Sequence, residues 1–171
     1  KFLGRKPIWL PNPVDMNLFN PEGNKIKLEG EPACFLAARL NGDKKPEVAI
    51  SIFQNNIRPK YPKATLHLLN FGDKASFYKK ALIDDKVYLW HNFMDKETLA
   101  AKIRGADLVF GDFSIGALSL LPMQVMALKK PIITLDRYEI IKKDLTELPL
   151  LAERLLSDEV FRNQYVEANY E

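Results

Sequence analysis

The sequence predicts an α/β domain, a Rossmann-like parallel sheet with helices on both faces, on three observations. Five short apolar runs recur along its 171 residues. The first four are each followed by turn residues and then by a stretch whose apolar side chains fall at helical spacing. Strands that alternate with helices pair in parallel, because parallel neighbours need crossover connections, and these are right-handed.

The elements follow in order. Residues 1–30, with Pro7, Pro11, Pro13, Pro21, Gly4, Gly23 and Gly30, have the composition of an extended lead-in along a domain edge. Ala33-Cys34-Phe35-Leu36-Ala37-Ala38 is a buried strand, and Asn41-Gly42-Asp43 turns the chain after it. Pro46 opens a helix whose apolar face is Val48, Ala49, Ile52, Phe53 and Ile57, ended by Pro59 and Pro62. Ala64 to Phe71 is the second strand, Gly72-Asp73 its turn, and Ser76 to Ile83 a helix. Val87-Tyr88-Leu89-Trp90 is the third strand, and Asp95 or Lys96 opens a helix that closes at Gly105. Asp107 to Phe110 is the fourth strand, Gly111 to Leu121 a loop, Pro122 to Leu128 a short helix with proline at its start, and Pro131 to Leu135 the fifth strand. From Lys142 one helix is expected, with Leu145, Leu148, Leu151, Leu155 and Leu156 on its buried face.

Composition narrows the function classes. A net charge of +3 is too small a surplus to argue for nucleic acid, and none is expected as a partner. The single cysteine, Cys34, excludes an internal disulfide framework and a Cys-based zinc site, and fits a reducing, cytoplasmic setting. No secretory leader is legible at Lys1-Phe2-Leu3-Gly4-Arg5, and no apolar run has the length of a membrane span.

In a sheet of this kind, ligands bind beyond the carboxyl ends of the strands, so loops 39–45, 91–95, 111–121 and 136–140 are the ones to inspect. Arg39 and Lys44 flank the first of these, and two cations beside a helix start suit a diphosphate. The bland alternative is a solvated lysine and an arginine paired to an acidic neighbour. Ser114 to Ala127 is a small-residue loop running into a helix, in which the amides of Gly116, Ala117 and Leu118 can face an anion or simply make a tight packing turn. His67 reads as a packed or edge histidine, Trp9 and Trp90 as packing residues. His91 stands at a strand's carboxyl end, where a ligand contact is open to it. No histidine-rich or Asp-x-Asp arrangement suggests a metal.

The run Leu10-Pro11-Asn12-Pro13-Val14-Asp15-Met16-Asn17-Leu18-Phe19, then Ala37-Ala38-Arg39-Leu40 with Lys44 five residues on, resembles a known domain. So do Lys86 to Leu89 with Asn92-Phe93, Ala106 to Phe110, Pro122 to Ala127 and Pro131-Ile132-Ile133. Over roughly residues 8 to 165 the chain resembles the carboxy-terminal domain of retaining glycosyltransferases of the large group-1 family, which have the GT-B fold. The resemblance makes residues 31–171 a nucleotide-sugar-binding domain.

It implies that Arg39 and Lys44 hold the donor diphosphate and do the catalytic work. The 111–121 loop, with Ser114, Gly116, Ala117 and Leu118, would lie against sugar and phosphates, and the base near His91, Asn92 and Phe93. The family's two signature glutamates, seven residues apart, fall on Gly116 and Gln124; Gln124 keeps an acceptor for a ribose hydroxyl and Gly116 offers only backbone. The implied activity is transfer of a sugar, with retention and without a metal or other cofactor, to an acceptor held by an amino-terminal domain of the same full-length protein. Such a protein would serve polysaccharide, glycolipid or glycoprotein assembly, in the cytoplasm or at the inner membrane face through that other domain. The isolated chain is expected to be inactive. Replacing Arg39 and Lys44 together with Ala is expected to abolish nucleoside diphosphate binding without unfolding. The competing readings are a catalytically degenerate GT-B-like nucleotide-binding or scaffold module, and an unrelated Rossmann-type cofactor protein, which the absent glycine fingerprint disfavours.

Overall fold

The computed structural model describes residues 13–113, 119–135 and 145–170. Its sheet has five strands, β1 (Ala33–Leu36), β2 (Thr65–Leu69), β3 (Tyr88–His91), β4 (Leu108–Phe110) and β5 (Ile132–Ile133), in the order β3-β2-β1-β4-β5. Every pairing is parallel, with Phe35 opposite His67 on one side of β1 and opposite Val109 on the other. The strand order reverses between β1 and β4, which places the ligand crevice of a doubly wound sheet at their carboxyl ends.

Among the described residues, six α-helices connect or follow these strands: α1 (Pro46–Ile52), α2 (Ala75–Ala81), α3 (Lys96–Gly105), α4 (Leu120–Ala127), α5 (Leu148–Ser157) and α6 (Glu159–Tyr170). Alternate residues of each strand go to opposite faces. Cys34, Leu36, Leu66, Leu68, Leu108 and Phe110 pack with Ile52 at the end of α1 and Phe53 just beyond it, with Ala75 of α2, and with Leu151 and Leu155 of α5. Ala33, Phe35, Val109 and Ile132 pack with Ala100 and Ile103 of α3 and Val125 of α4. Phe19 and Leu28 of the lead-in are buried in the second layer. Each such side chain contributes roughly 1.5–3 kcal/mol by leaving water.

The helix that begins at Pro46 runs to Ile57 as the sequence reading has it, its last part, Phe53–Ile57, being a π turn closed by the Arg58 N–H on the Phe53 carbonyl at 2.8 Å. Other boundaries differ from the sequence reading, each for a local reason. The fourth helix starts at Leu120 rather than Pro122, because the first turn of a helix leaves its N–H groups unpaired and tolerates proline beyond the first position. The expected carboxy-terminal helix is two helices. Asp158 breaks it by accepting from the Phe161 N–H at 2.9 Å, which caps α6. Leu145 precedes α5 and is exposed, outside the buried face assigned to it, whereas Leu148, Leu151 and Leu155 are buried. Cys34 is core, Trp90 packs against the first layer, and Trp9 lies outside the described residues. No helix among the described residues is long and apolar enough to cross a membrane.

Candidate functional site

The crevice between β1 and β4 is assembled from three strand ends. After Leu36 the chain keeps Ala37, Ala38 and Leu40 buried while Arg39 projects to solvent. The Leu40 N–H donates to the Phe71 carbonyl at 2.9 Å, and its carbonyl accepts from the Lys74 N–H at 2.8 Å. The loop after β1 is thereby stitched to the loop after β2. Gly72 makes that stitching feasible: its φ is +124°, and a Cβ there would come within 2.6 Å of the Leu40 backbone. Gly42–Lys44 then forms one 3-10 turn, and Lys45, in the left-handed conformation at φ 48°, reverses the chain into α1. The reversal sends Lys45 outward and leaves Lys44 largely covered, its side chain 13% exposed.

Lys44 meets the carboxyl end of β4. Its carbonyl accepts from the Phe113 N–H at 3.2 Å, and its Nζ lies 3.4 Å from Asp112 Oδ2. Asp112 is only 2% exposed and ties the elements around it together. Its carbonyl accepts from Thr134 Oγ1 at 2.7 Å and from the Leu135 N–H at 3.0 Å, beyond β5. Ser119, at the start of α4, donates its hydroxyl to the same Oδ2 at 2.8 Å. Asp112 Oδ1 is buried and has no hydrogen-bond partner among the described residues. Sequence reasoning missed Asp112, reading Gly111-Asp112 as the start of a loop, and its partner Lys44 is 68 residues away along the chain.

The sequence-level alternatives for the two cations come out crosswise. Lys44 is paired, and Arg39 is exposed without an ion pair or hydrogen bond to any described residue. Ser114, Gly116, Ala117 and Leu118, like loop 136–140, lie outside the described residues. Gln124 is buried on α4, and its side chain makes no hydrogen bond with the described residues.

At the β3 end, His91 does not stand alone. Its Nε2 is 2.8 Å from His67 Nδ1, and His67 Nε2 is 2.8 Å from the Glu29 carbonyl oxygen. A carbonyl only accepts, so His67 carries its proton on Nε2 and accepts at Nδ1 from His91 Nε2–H. The rings are nearly parallel, at 6° with centroids 5.1 Å apart, and the short N···N distance makes this an edge-to-edge bond rather than face stacking. Only Nδ1 of His91 remains for a ligand. A pocket of about 260 Å³ opens here, lined in part by Lys27, Glu29, His67, Trp90, His91 and Lys102.

Burial, then the charges of Lys102 and His67, push the His91 pKa down to about 4, and burial lowers that of His67 as well. A base whose pKa falls on folding binds fewer protons folded than unfolded between the two values. Its neutral form therefore supports the fold fully above the ordinary histidine range near pH 6.5, and that support is lost as pH falls towards 4. Melting temperature is expected to drop between pH 7 and pH 4.5, and to drop less in His91→Gln; equal slopes for the two proteins would remove the pair from the account.

Asn92 and Phe93 are exposed, Phe93 at 76%. The Phe93 ring meets Phe71 at 5.2 Å between centroids and 57° between planes. Two aromatic rings thus stand at the carboxyl rim, beside the loop that carries Arg39. Phe71 was absent from the sequence-level set because its place in an apolar run reads as strand.

The described residues form a doubly wound α/β domain with a five-stranded parallel sheet, the fold class that the sequence predicts. No family model matches the chain, and no curated protein does. Among solved structures it is similar to the carboxy-terminal domain of a group-1 family glycosyl transferase, LpcC, from Francisella tularensis: TM-score 0.72 and 20% identity, over 92% of this chain and 95% of that one. It is also similar to sucrose-phosphate synthase from Thermosynechococcus elongatus, with TM-score 0.67 and 14% identity over 94% of this chain and 46% of that one. A third similar structure is TarM, at TM-score 0.64 and 11% identity over 88% of this chain and 33% of that one. The chain thus spans about a third to a half of the latter two proteins.

Proposed function

We propose that this chain is the donor-binding domain of a glycosyltransferase, moving a sugar from a nucleotide-sugar to an acceptor held by an amino-terminal domain of the same protein, with retention. The observation that carries the reading is the constellation at the strand-order reversal, where Lys44 is held against Asp112 and Arg39, on the same loop, is exposed and unpaired among the described residues. Two cations on this loop stabilise the negative charge that grows on a departing diphosphate, an interaction stronger in the transition state than in the ground state. The task needs no metal. The Phe71–Phe93 pair and Asn92 offer a face and an edge to a nucleobase, and Gln124 an acceptor for a ribose hydroxyl. A structure of S. aureus TarM has been solved with UDP, which supports a nucleotide as the first ligand to try.

The isolated chain is expected to bind and not to transfer. A panel of UDP, GDP, ADP and their sugar conjugates should contain one ligand that raises the melting temperature. At a hundredfold excess over Kd the gain is about 2.7 kcal/mol, roughly 5–10 °C for a domain of this size. Arg39→Ala should weaken that ligand by tenfold or more, the value of one charge-assisted contact, while leaving the unliganded melting temperature nearly unchanged, because Arg39 is exposed and makes no ion pair or hydrogen bond with the described residues.

A second reading, a GT-B-like module without catalytic competence, is favoured by Asp112: its carboxylate already neutralises Lys44, and Gly116 and Gln124 occupy the positions where the resemblance expects glutamates. No stabilisation by any member of the panel would decide for it.

A further inference from the structure

We propose that a pocket at the amino ends of β4 and β5 binds the phosphate group of a small phosphomonoester, with Lys130 and Arg162 as its cations. The site is independent of the donor-binding reading. Asp107 immediately precedes β4 and Pro131 immediately precedes β5, so in this parallel sheet the pocket lies at the opposite end of the strands from Arg39 and Lys44. Its cavity measures about 280 Å³ and is lined by Asp107, Lys129, Lys130, Arg162 and Asn163 among others. Sites for drug-sized ligands run to roughly 300–1,000 Å³, so this volume suits a small anion better than a nucleotide. Lys130 and Arg162 are half-buried and Asn163 is exposed, which leaves the cavity within reach of solvent.

The turn after α4 delivers Lys130. The Lys129 N–H donates to the Met126 carbonyl at 2.8 Å and the Lys130 N–H to the Val125 carbonyl at 3.2 Å, a paired closure that puts one residue in the left-handed conformation. That residue is Lys129, at φ 51°, where glycine is unstrained and lysine is not. Lys129 turns to α6, its Nζ 3.0 and 2.9 Å from the Glu167 carboxylate oxygens and 4.4 Å from the centre of the Tyr170 ring. Lys130 lines the pocket, and its ammonium makes no ion pair or hydrogen bond with the described residues. The Arg162 guanidinium spends one N–H on the Leu155 carbonyl, at 3.4 Å, and keeps its other donors. Burial first, and then Lys25, bring the Lys130 pKa down to about 8; Asp107 opposes that fall and Arg162 adds to it. Like charges gathered in this way repel until an anion joins them, and the planar fork of Arg162 matches phosphate oxygens. Asp107 shapes the rest of the ligand. Its Oδ2 already accepts from the Ala33 N–H at 2.8 Å, and the carboxylate repels a second acidic group while accepting from a hydroxyl. A polyol phosphate is favoured over a polycarboxylate.

Titration of the chain with glycerol phosphate, inorganic phosphate, sulfate and citrate at constant ionic strength, followed by amide chemical shifts, tests this. Glycerol phosphate is expected to give saturable shifts centred on the Lys130, Arg162 and Asn163 amides and to bind at least fivefold more tightly than citrate. Lys130→Gln and Arg162→Gln should each weaken it about tenfold, the value of one charge-assisted contact. Sulfate keeps its charge between pH 7 and pH 9, so its affinity reports on the protein alone. The charged groups facing Lys130 are Lys25 of the lead-in, Asp107 before β4, Lys129 beside it and Arg162 of α6. Sulfate affinity should fall about tenfold over that range as Lys130 loses its proton, and this arm needs only the unaltered protein if a variant fails to fold. Vesicles of phosphatidylcholine with and without phosphatidic acid distinguish the source of the phosphate: retention by the latter without binding of glycerol phosphate assigns the pocket to a lipid headgroup, and the reverse to a soluble ligand. No binding in either arm, shifts scattered over the surface, unchanged affinity in both variants, or sulfate binding flat from pH 7 to pH 9 would each overturn the site, and none of them bears on nucleotide binding at the other end of the sheet.

Discussion

Lys44→Ala is expected to destabilise the fold by roughly 3 kcal/mol, lowering the melting temperature by about 6–12 °C, although Lys44 lies in a surface-facing loop. The reason is its partner. Asp112 is 2% exposed, its Oδ1 has no donor among the described residues, and removing Nζ leaves the carboxylate with the Ser119 hydroxyl as its one remaining partner among them. Breaking a buried ion pair from one side costs about 3–5 kcal/mol because the remaining charge stays buried; Lys44 keeps some contact with water, which puts this case at the low end. The double variant Lys44→Ala with Asp112→Asn should recover most of the loss, since it removes the stranded charge together with its partner. Measured by urea unfolding, a double variant no more stable than Lys44→Ala would show that the lysine stem matters rather than the charge. The result changes the test expected from sequence, in which Arg39 and Lys44 are replaced together without unfolding. Arg39→Ala alone isolates ligand binding, and Lys44→Ala mixes binding with stability.

That difference marks where the sequence stops being informative. The strands, their order along the chain and the turns at Asn41-Gly42-Asp43 and Gly72-Asp73 are local signals: apolar runs end where residues tolerant of tight backbone begin. Asp95 as cap of α3, with the Thr98 N–H at 2.7 Å, is equally local. The pairs that shape the crevice are distant in sequence. Lys44 and Asp112 are 68 residues apart, and His67 and His91 are 24 apart, joined because β2 and β3 are neighbours in parallel register. Composition near either member carries no trace of the other. Gly111-Asp112 looks like any loop start until the strand order puts β4 beside β1. The break between α5 and α6 was hidden for a different reason, since Asp158 sits in a sequence with continuous helical periodicity and only its cap to Phe161 ends the first helix.

Arg104→Met is expected to cost about 3 kcal/mol and to release the lead-in. Arg104 lies in the last turn of α3, 7% exposed, and its guanidinium donates to three backbone carbonyls: Leu18 at 2.6 Å, Asn20 at 2.8 Å and Asn24 at 3.0 Å. A hydrogen bond to a charged group contributes about 1.5–3 kcal/mol, but these carbonyls belong to a segment with exposed neighbours and regain water when released, so the sum is well below three full bonds. Gly23 and Gly105 record how closely the segment is held: a Cβ on Gly23 would enter the guanidinium, and one on Gly105 would run into the Ile26 carbonyl. Arg104→Lys should not restore stability, because one ammonium cannot span three carbonyls set around a planar fork. Amide exchange should distinguish the variants from a general loss of stability. The Phe19 N–H, bonded to the Asp15 carbonyl, should exchange faster by more than the global destabilisation explains, and the β1 amides should follow the global value. Full rescue by lysine, or uniform acceleration across the sheet, would remove the clamp from the account. The clamp also matters for the rim of the sheet, since the segment it holds continues to Glu29, whose carbonyl sets the protonation of His67 and, through it, which nitrogen of His91 faces the pocket.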